Sequence, residues 1–215
     1  WSILGPTILS IAIYSKGANA AGLAFFGFVL IISARRYEFR AVPLLLWVGV
    51  LLLLISFIWT GHAQKAGPIA QAVLSLHLVA IAFWLGSFLP LRRMCSSPVS
   101  ENLYKIAERF GTHAVFYICL LLISGLIFAY ILIGDLSLLL STVYGNVFLM
   151  KITLVSALLG IGAVNKFRLV PSMKLEPSIG AQRLRKSIQI EMVIALLILS
   201  FSGFLTTSTT LPMGG

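Results

Sequence analysis

The sequence predicts an all-α, polytopic bundle of transmembrane helices, and three observations carry that prediction. Hydrophobic residues make up 59% of the 215 and charged residues only 10%, with a mean hydropathy of +1.02. A soluble domain carries about 25% charged residues. The apolar residues gather in runs close to the ~20 residues that cross a hydrocarbon core as helix, and longer than a barrel strand requires. The basic residues collect in the connections, on alternate sides of the runs.

Six runs read as full spans: Gly17–Ala34, Ala41–Thr60, Pro68–Leu91, His113–Ile133, Gly145–Val164 and Ile188–Thr207. They form one transmembrane domain over residues 1–215. Two further segments, Trp1–Tyr14 and Leu136–Val143, are apolar but too short to span. Each precedes a span that ends in a basic loop and is followed by one more span. In the second copy two extra spans come first. If the first copy is complete, two spans lie upstream of Trp1 and the native protein has eight. Ser100–Phe110 (SENLYKIAERF) sets Leu103, Ile106, Ala107 and Phe110 on one face against Glu101, Lys105, Glu108 and Arg109 on another. That pattern reads as an amphipathic helix at the membrane surface or a solvated connector.

The net charge of +10 reads as topology and excludes a nucleic-acid-binding role. Three connections hold 13 of the 16 Lys and Arg: Arg35, Arg36 and Arg40; Arg92, Arg93, Lys105 and Arg109; and Lys166, Arg168, Lys174, Arg183, Arg185 and Lys186. The other side has only Lys16, Lys65 and Lys151. The positive-inside rule puts the basic connections in the cytoplasm and the C-terminus outside it. Cys95 and Cys119 give no disulfide framework. No nucleophile–base pair, phosphate loop, paired carboxylates or HExxH motif is present, so the chain does not read as an enzyme.

Histidine carries the chemistry. His77 lies inside the third span, with no other ionisable residue from Gln71 to Leu91. An imidazole at membrane depth is costly, which favours a functional role over a structural bond to a neighbouring helix. His62, at the outer end of the second span, is an interfacial residue or a soft-metal ligand, since neutral imidazole suits copper, zinc and iron. The two differ in depth by about 10 Å or more, which suits successive stations rather than one chelate. His113 begins the fourth span and reads as a helix-end or headgroup contact. Its depth differs from that of His77 by roughly 15–20 Å, so the pair cannot ligate one haem. Cys119, Met94 and Cys95 are the sulfur donors nearest the cytoplasmic half, each with packing as the plainer role. Lys151 snorkels outward or repels cations. Asn165 ends the fifth span, and Glu191 is expected to pair with Arg185 and Lys186.

Several motifs together resemble the copper resistance protein D (CopD) family of bacterial inner-membrane proteins. They are TGHA at Thr60–Ala63, LHLVAIAFWLGSFLPL at Leu76–Leu91, YGNVFLMK at Tyr144–Lys151, NKFRLVP from Asn165, LRKSIQIE at Leu184–Glu191 and LTTSTTLP at Leu205–Pro212. The resemblance implies an eight-helix, multi-pass protein of the inner membrane, in which the charge rule places the C-terminus on the periplasmic side. It implies movement of copper from periplasm to cytoplasm, with family-type histidines at His62 and His77. Cys119, Met94 and Cys95 complete the candidate metal ligands from this sequence alone, and imidazole, thioether and thiol donors favour Cu(I). Copper ions, the lipid bilayer and a periplasmic copper-binding protein are the expected partners. Two alternatives stand beside this: a membrane b-type haem electron carrier, and a non-transporting partner that delivers copper to another membrane complex.

Overall fold

Glycine and proline set most of the breaks in a chain that otherwise forms helix. In the computed structural model, residues 15–34, 42–96, 102–134 and 137–207 are described, and among them there is no strand. The elements are α1 (Lys16–Ala34), α2 (Val42–Ile58), α3 (Gly61–Ala66), α4 (Pro68–Met94), α5 (Asn102–Ile133), α6 (Leu138–Ser141), α7 (Val143–Val164), a π-helical turn (Asn165–Leu169), α8 (Val170–Ser172) and α9 (Pro177–Thr207). All six expected runs are helical over their described residues, except that the second ends at Ile58. Five helices are long and apolar enough to cross a membrane, and α2 is shorter at 17 residues. Trp1–Tyr14 and the Arg35, Arg36 and Arg40 connection lie outside the described residues.

The chain divides into two units, Trp1–Ser75 and Leu76–Gly215, with the boundary inside α4. In the first, α1 and α2 cross at two glycines. A Cβ on Gly27 would stand 2.7 Å from the Gly49 carbonyl oxygen, and one on Gly49 would stand 2.8 Å from that of Gly27. Small residues allow this approach, which is how apolar helices associate where lipid removes the usual hydrophobic drive. Gly67, at φ 93°, separates α3 from α4 in a conformation that side chains disfavour. The Gln71 amide donates to the Ile58 carbonyl at 3.2 Å, tying the end of α2 to the first turn of α4.

In the second unit one face of α4, Trp84, Phe88, Leu91 and Cys95, packs into a core with Leu103, Ala107, Leu158, Val170, Met173, Ala181, Leu184 and Ile188. The ring of Phe83 stacks on Tyr117 at 3.8 Å and on Phe110 at 5.5 Å, which seats α4 on α5. Thr142 starts α7 by accepting the Gly145 backbone N–H at 3.0 Å. Large apolar side chains such as Phe116, Leu126, Tyr130, Val193 and Leu196 point outward, as a lipid-facing surface requires.

Two boundaries differ from the sequence reading. The surface helix at 102–110 and the span from His113 are one continuous helix, α5, of 32 residues. It is about 48 Å long, well beyond a hydrocarbon core of ~30 Å. The lone Gly111 between them does not break it, and its carbonyl accepts from Lys166 Nζ at 3.0 Å. Likewise Arg183, Arg185 and Lys186 belong to α9 rather than to a loop.

Candidate functional site

His77 projects from α4 against α5. Its Nδ1 lies 3.1 Å from the Leu121 carbonyl oxygen and 3.1 Å from Ser124 Oγ. A carbonyl oxygen only accepts, so Nδ1 carries the hydrogen and Nε2 bears the lone pair. Ser124 is buried and donates back into its own helix at Leu120 and Leu121. This leaves its oxygen as a second acceptor for Nδ1–H. Gly125 makes the approach possible, because a Cβ there would stand 3.0 Å from His77 Cε1. Lys151 on α7 is close enough to act electrostatically on the ring. The result is an oriented, neutral imidazole with Nε2 turned away from its tether, the arrangement that metal-ligating histidines use.

The sulfur candidates are not gathered around it. His62 falls in α3, and its side chain lies outside the described residues. Cys119 is two residues from Leu121 in sequence but sits on the exposed side of α5. Met94 and Cys95 lie at the far end of α4, about 25 Å along the helix from His77. Cys95 is buried. Burial pushes its thiol above the usual range, while the nearby Arg185 guanidinium acts against that shift. His113 is exposed, with Nδ1 bonded to the Arg109 carbonyl of its own helix at 2.8 Å. Leu121 and Gly125 lie eight and twelve residues farther along α5, so His113 is roughly 12–18 Å from the level of His77. Among the described residues no group of three His, Cys, Asp or Glu could hold a metal ion.

A second polar spot was not legible in the sequence as a pair. Glu191 on α9 is 3% exposed and Asn165 in the π turn 9%. The Asn165 amide donates to Glu191 Oε1, and the Trp84 indole N–H lies near the same carboxyl. The expected pairing of Glu191 with Arg185 and Lys186 does not occur. Lys186 is one residue beyond a full turn from Glu191 along α9, and the carboxyl turns inward to the neutral donors instead.

Residues 104–205 match the family described as Copper resistance protein D. That region contains Cys119, Lys151, Asn165 and Glu191, and it excludes His62, His77, Met94 and Cys95. The chain is also similar to the copper transport protein CutJ of Bacillus subtilis (strain 168), 27% identical over 135 residues, 60% of this chain and 24% of that protein. It therefore spans about a quarter of the length of that curated relative. No solved structure matches the chain.

Proposed function

We propose, from the match of residues 104–205 to the copper resistance protein D family, that the protein moves copper ions across a bacterial inner membrane, with His77 as the ligand inside the bundle. The membrane assignment rests on the apolar helices and the copper assignment on the family and its similar transporter. One observation supports His77: its Nδ1–H is fixed by Leu121 and Ser124, which leaves Nε2 as an oriented donor.

His62 collects the ion on the outer, periplasmic side, and the ion leaves toward the side of the basic residues, past Met94 and Cys95. Cys119, on the outer face of α5, is the donor with the weakest case. Cu(I) is the form that imidazole, thioether and thiol donors suit. Sparse ligation fits transport, because an ion held by few ligands is released readily. Lys151, beside His77, adds to that release by repelling a bound cation. The C-terminus is assigned to the periplasmic side, and a periplasmic copper-binding protein is the natural donor.

The test is copper uptake into liposomes carrying wild-type protein or His77→Ala. The variant is expected to lose uptake by at least about tenfold, since even orienting residues around a metal are worth that much. Equal uptake overturns the assignment of His77.

A further inference from the structure

Glu191 and Asn165 are buried in the same unit as His77, and the copper reading uses neither. The carboxyl of Glu191 accepts from Asn165 Nδ2 and has the Trp84 indole N–H near it. Both donors are neutral. Among the described residues, no charged group on the surrounding elements makes a hydrogen bond or ion pair with the carboxyl. On α4, Cys95 lies beside Arg185 of α9, and Arg92 keeps its Nε buried without a partner. In the π turn, Lys166 donates to Gly111 and lies 5.6 Å over the Phe167 ring. On α7, Lys151 acts at His77. Arg168 lies in the π turn and Lys186 on α9, and α8 has no charged residue. A carboxylate buried without a counter-ion is expensive, and exchange of a proton relieves that cost.

The neutral form is also provided for. A carboxylic acid needs an acceptor for its O–H, and Asn165 Oδ1 is buried with no partner. Turning the amide over presents Oδ1 to the acid, whereas the observed orientation presents Nδ2 to the carboxylate. Asn165 stands at the opening of the π-helical turn, a feature found frequently at functional sites. Its backbone stays anchored, with its N–H bonded to Gly162 and Ile161. Gly162 also seats the indole, since a Cβ there would stand 3.4 Å from the Trp84 ring.

We propose that Glu191, Asn165 and Trp84 form a proton-binding site inside the bundle, toward the end that carries the basic residues. One proton from water joins a Glu191 oxygen, the carboxylate becomes neutral, and the Asn165 amide turns from donor to acceptor. No electron moves and no other bond breaks. Lys186, at the basic end of α9, is five residues from Glu191, about 8 Å along the helix, so the path to water is short.

The test needs no copper, which separates it from the transport reading. Trp84 is made the sole tryptophan of the full chain by replacing Trp1, Trp47 and Trp59 with Phe, and its emission is followed in micelles from about pH 4 to 9. Emission is expected to change with the uptake of one proton. Glu191→Gln is expected to flatten the curve, and Asn165→Leu to move its midpoint by about one pH unit or more, the worth of a hydrogen bond to a charged group. If Glu191→Gln does not fold, infrared difference spectra of the unsubstituted protein are to show a protonated-carboxyl C=O band that grows as pH falls. A flat wild-type curve, the same titration in Glu191→Gln, or a response to sodium or magnesium but not to pH overturns the proposal.

Discussion

His77 and Glu191 are both polar groups set into apolar helices of one unit, and their surroundings complete them in opposite ways. The imidazole is tethered at Nδ1 by a backbone carbonyl and a buried serine, and its second nitrogen is left as a donor of electrons. The carboxyl is met by two hydrogen donors, and the unpartnered atom belongs to its neighbour, the Asn165 oxygen. The first arrangement offers a lone pair to a cation. The second offers two alternative hydrogen-bond patterns to a proton. The environments follow the same division: a lysine acts on the imidazole, and the groups that meet the carboxyl, Asn165 and Trp84, are neutral.

The comparison breaks most visibly on stability. Glu191→Ala leaves the Trp84 and Asn165 donors unpaired and opens a cavity, at a cost of about 2–4 kcal/mol. His77→Leu removes a group whose partners already bond within α5, and it is expected to cost less than about 1 kcal/mol. Unfolding of the two variants in micelles, followed by circular dichroism, measures the difference. A larger loss for His77→Leu reverses the roles, with the imidazole structural and the carboxyl dispensable.

Gly125→Val comes next. Its side chain collides with His77 Cε1, which a Cβ alone would already approach to 3.0 Å. The ring has to leave its tether, so copper affinity is expected to fall about tenfold or more, with an overpacking cost of about 1–3 kcal/mol. The Glu191 titration is expected to remain unchanged. Copper binding by competition with a chelator reads the first effect, and Trp84 emission the second. Unaltered affinity means that Nε2 is not the ligand.

Lys151→Met sharpens the electrostatic half of the contrast. Removing the neighbouring cation is expected to raise copper affinity at His77 about fivefold, as an interaction near 1 kcal/mol implies. It is also expected to slow release. Weaker binding in this variant shows that Lys151 supports the site rather than opposing its occupant.

The helices were legible because a span must be long and apolar, and Pro68–Met94 announces itself in that way. Their ends were not. Hydropathy marks where lipid begins, while α5 continues from 113 back to 102 without a breaking residue. Inward faces were harder still. In lipid the outer surface is as apolar as the core, so buried Trp84 and Phe88 look like exposed Phe116 and Tyr130 in sequence. Cys119 shows the consequence, since its place along the helix was readable but not the side of α5 on which it lies. His77 stood out because its neighbours along α4 are uncharged. Glu191 did not, because Arg185 and Lys186 offered a nearer partner in sequence than Asn165, 26 residues away.

The smallest expected effect isolates which atom orients the imidazole. Ser124→Ala deletes one of the two acceptors at Nδ1 and leaves the other, the Leu121 carbonyl at 3.1 Å, which no side-chain substitution removes. The lost neutral hydrogen bond is worth about 0.5–1.5 kcal/mol, and the retained one keeps the ring and its tautomer in place. Copper affinity is therefore expected to drop no more than about threefold, as expected for a partial loss of that bond. A loss as large as that in Gly125→Val transfers the orienting role from the backbone to the serine. In that case Ser124 controls Nε2 just as Asn165 controls Glu191, and both polar groups of this unit depend on a side chain of the facing helix.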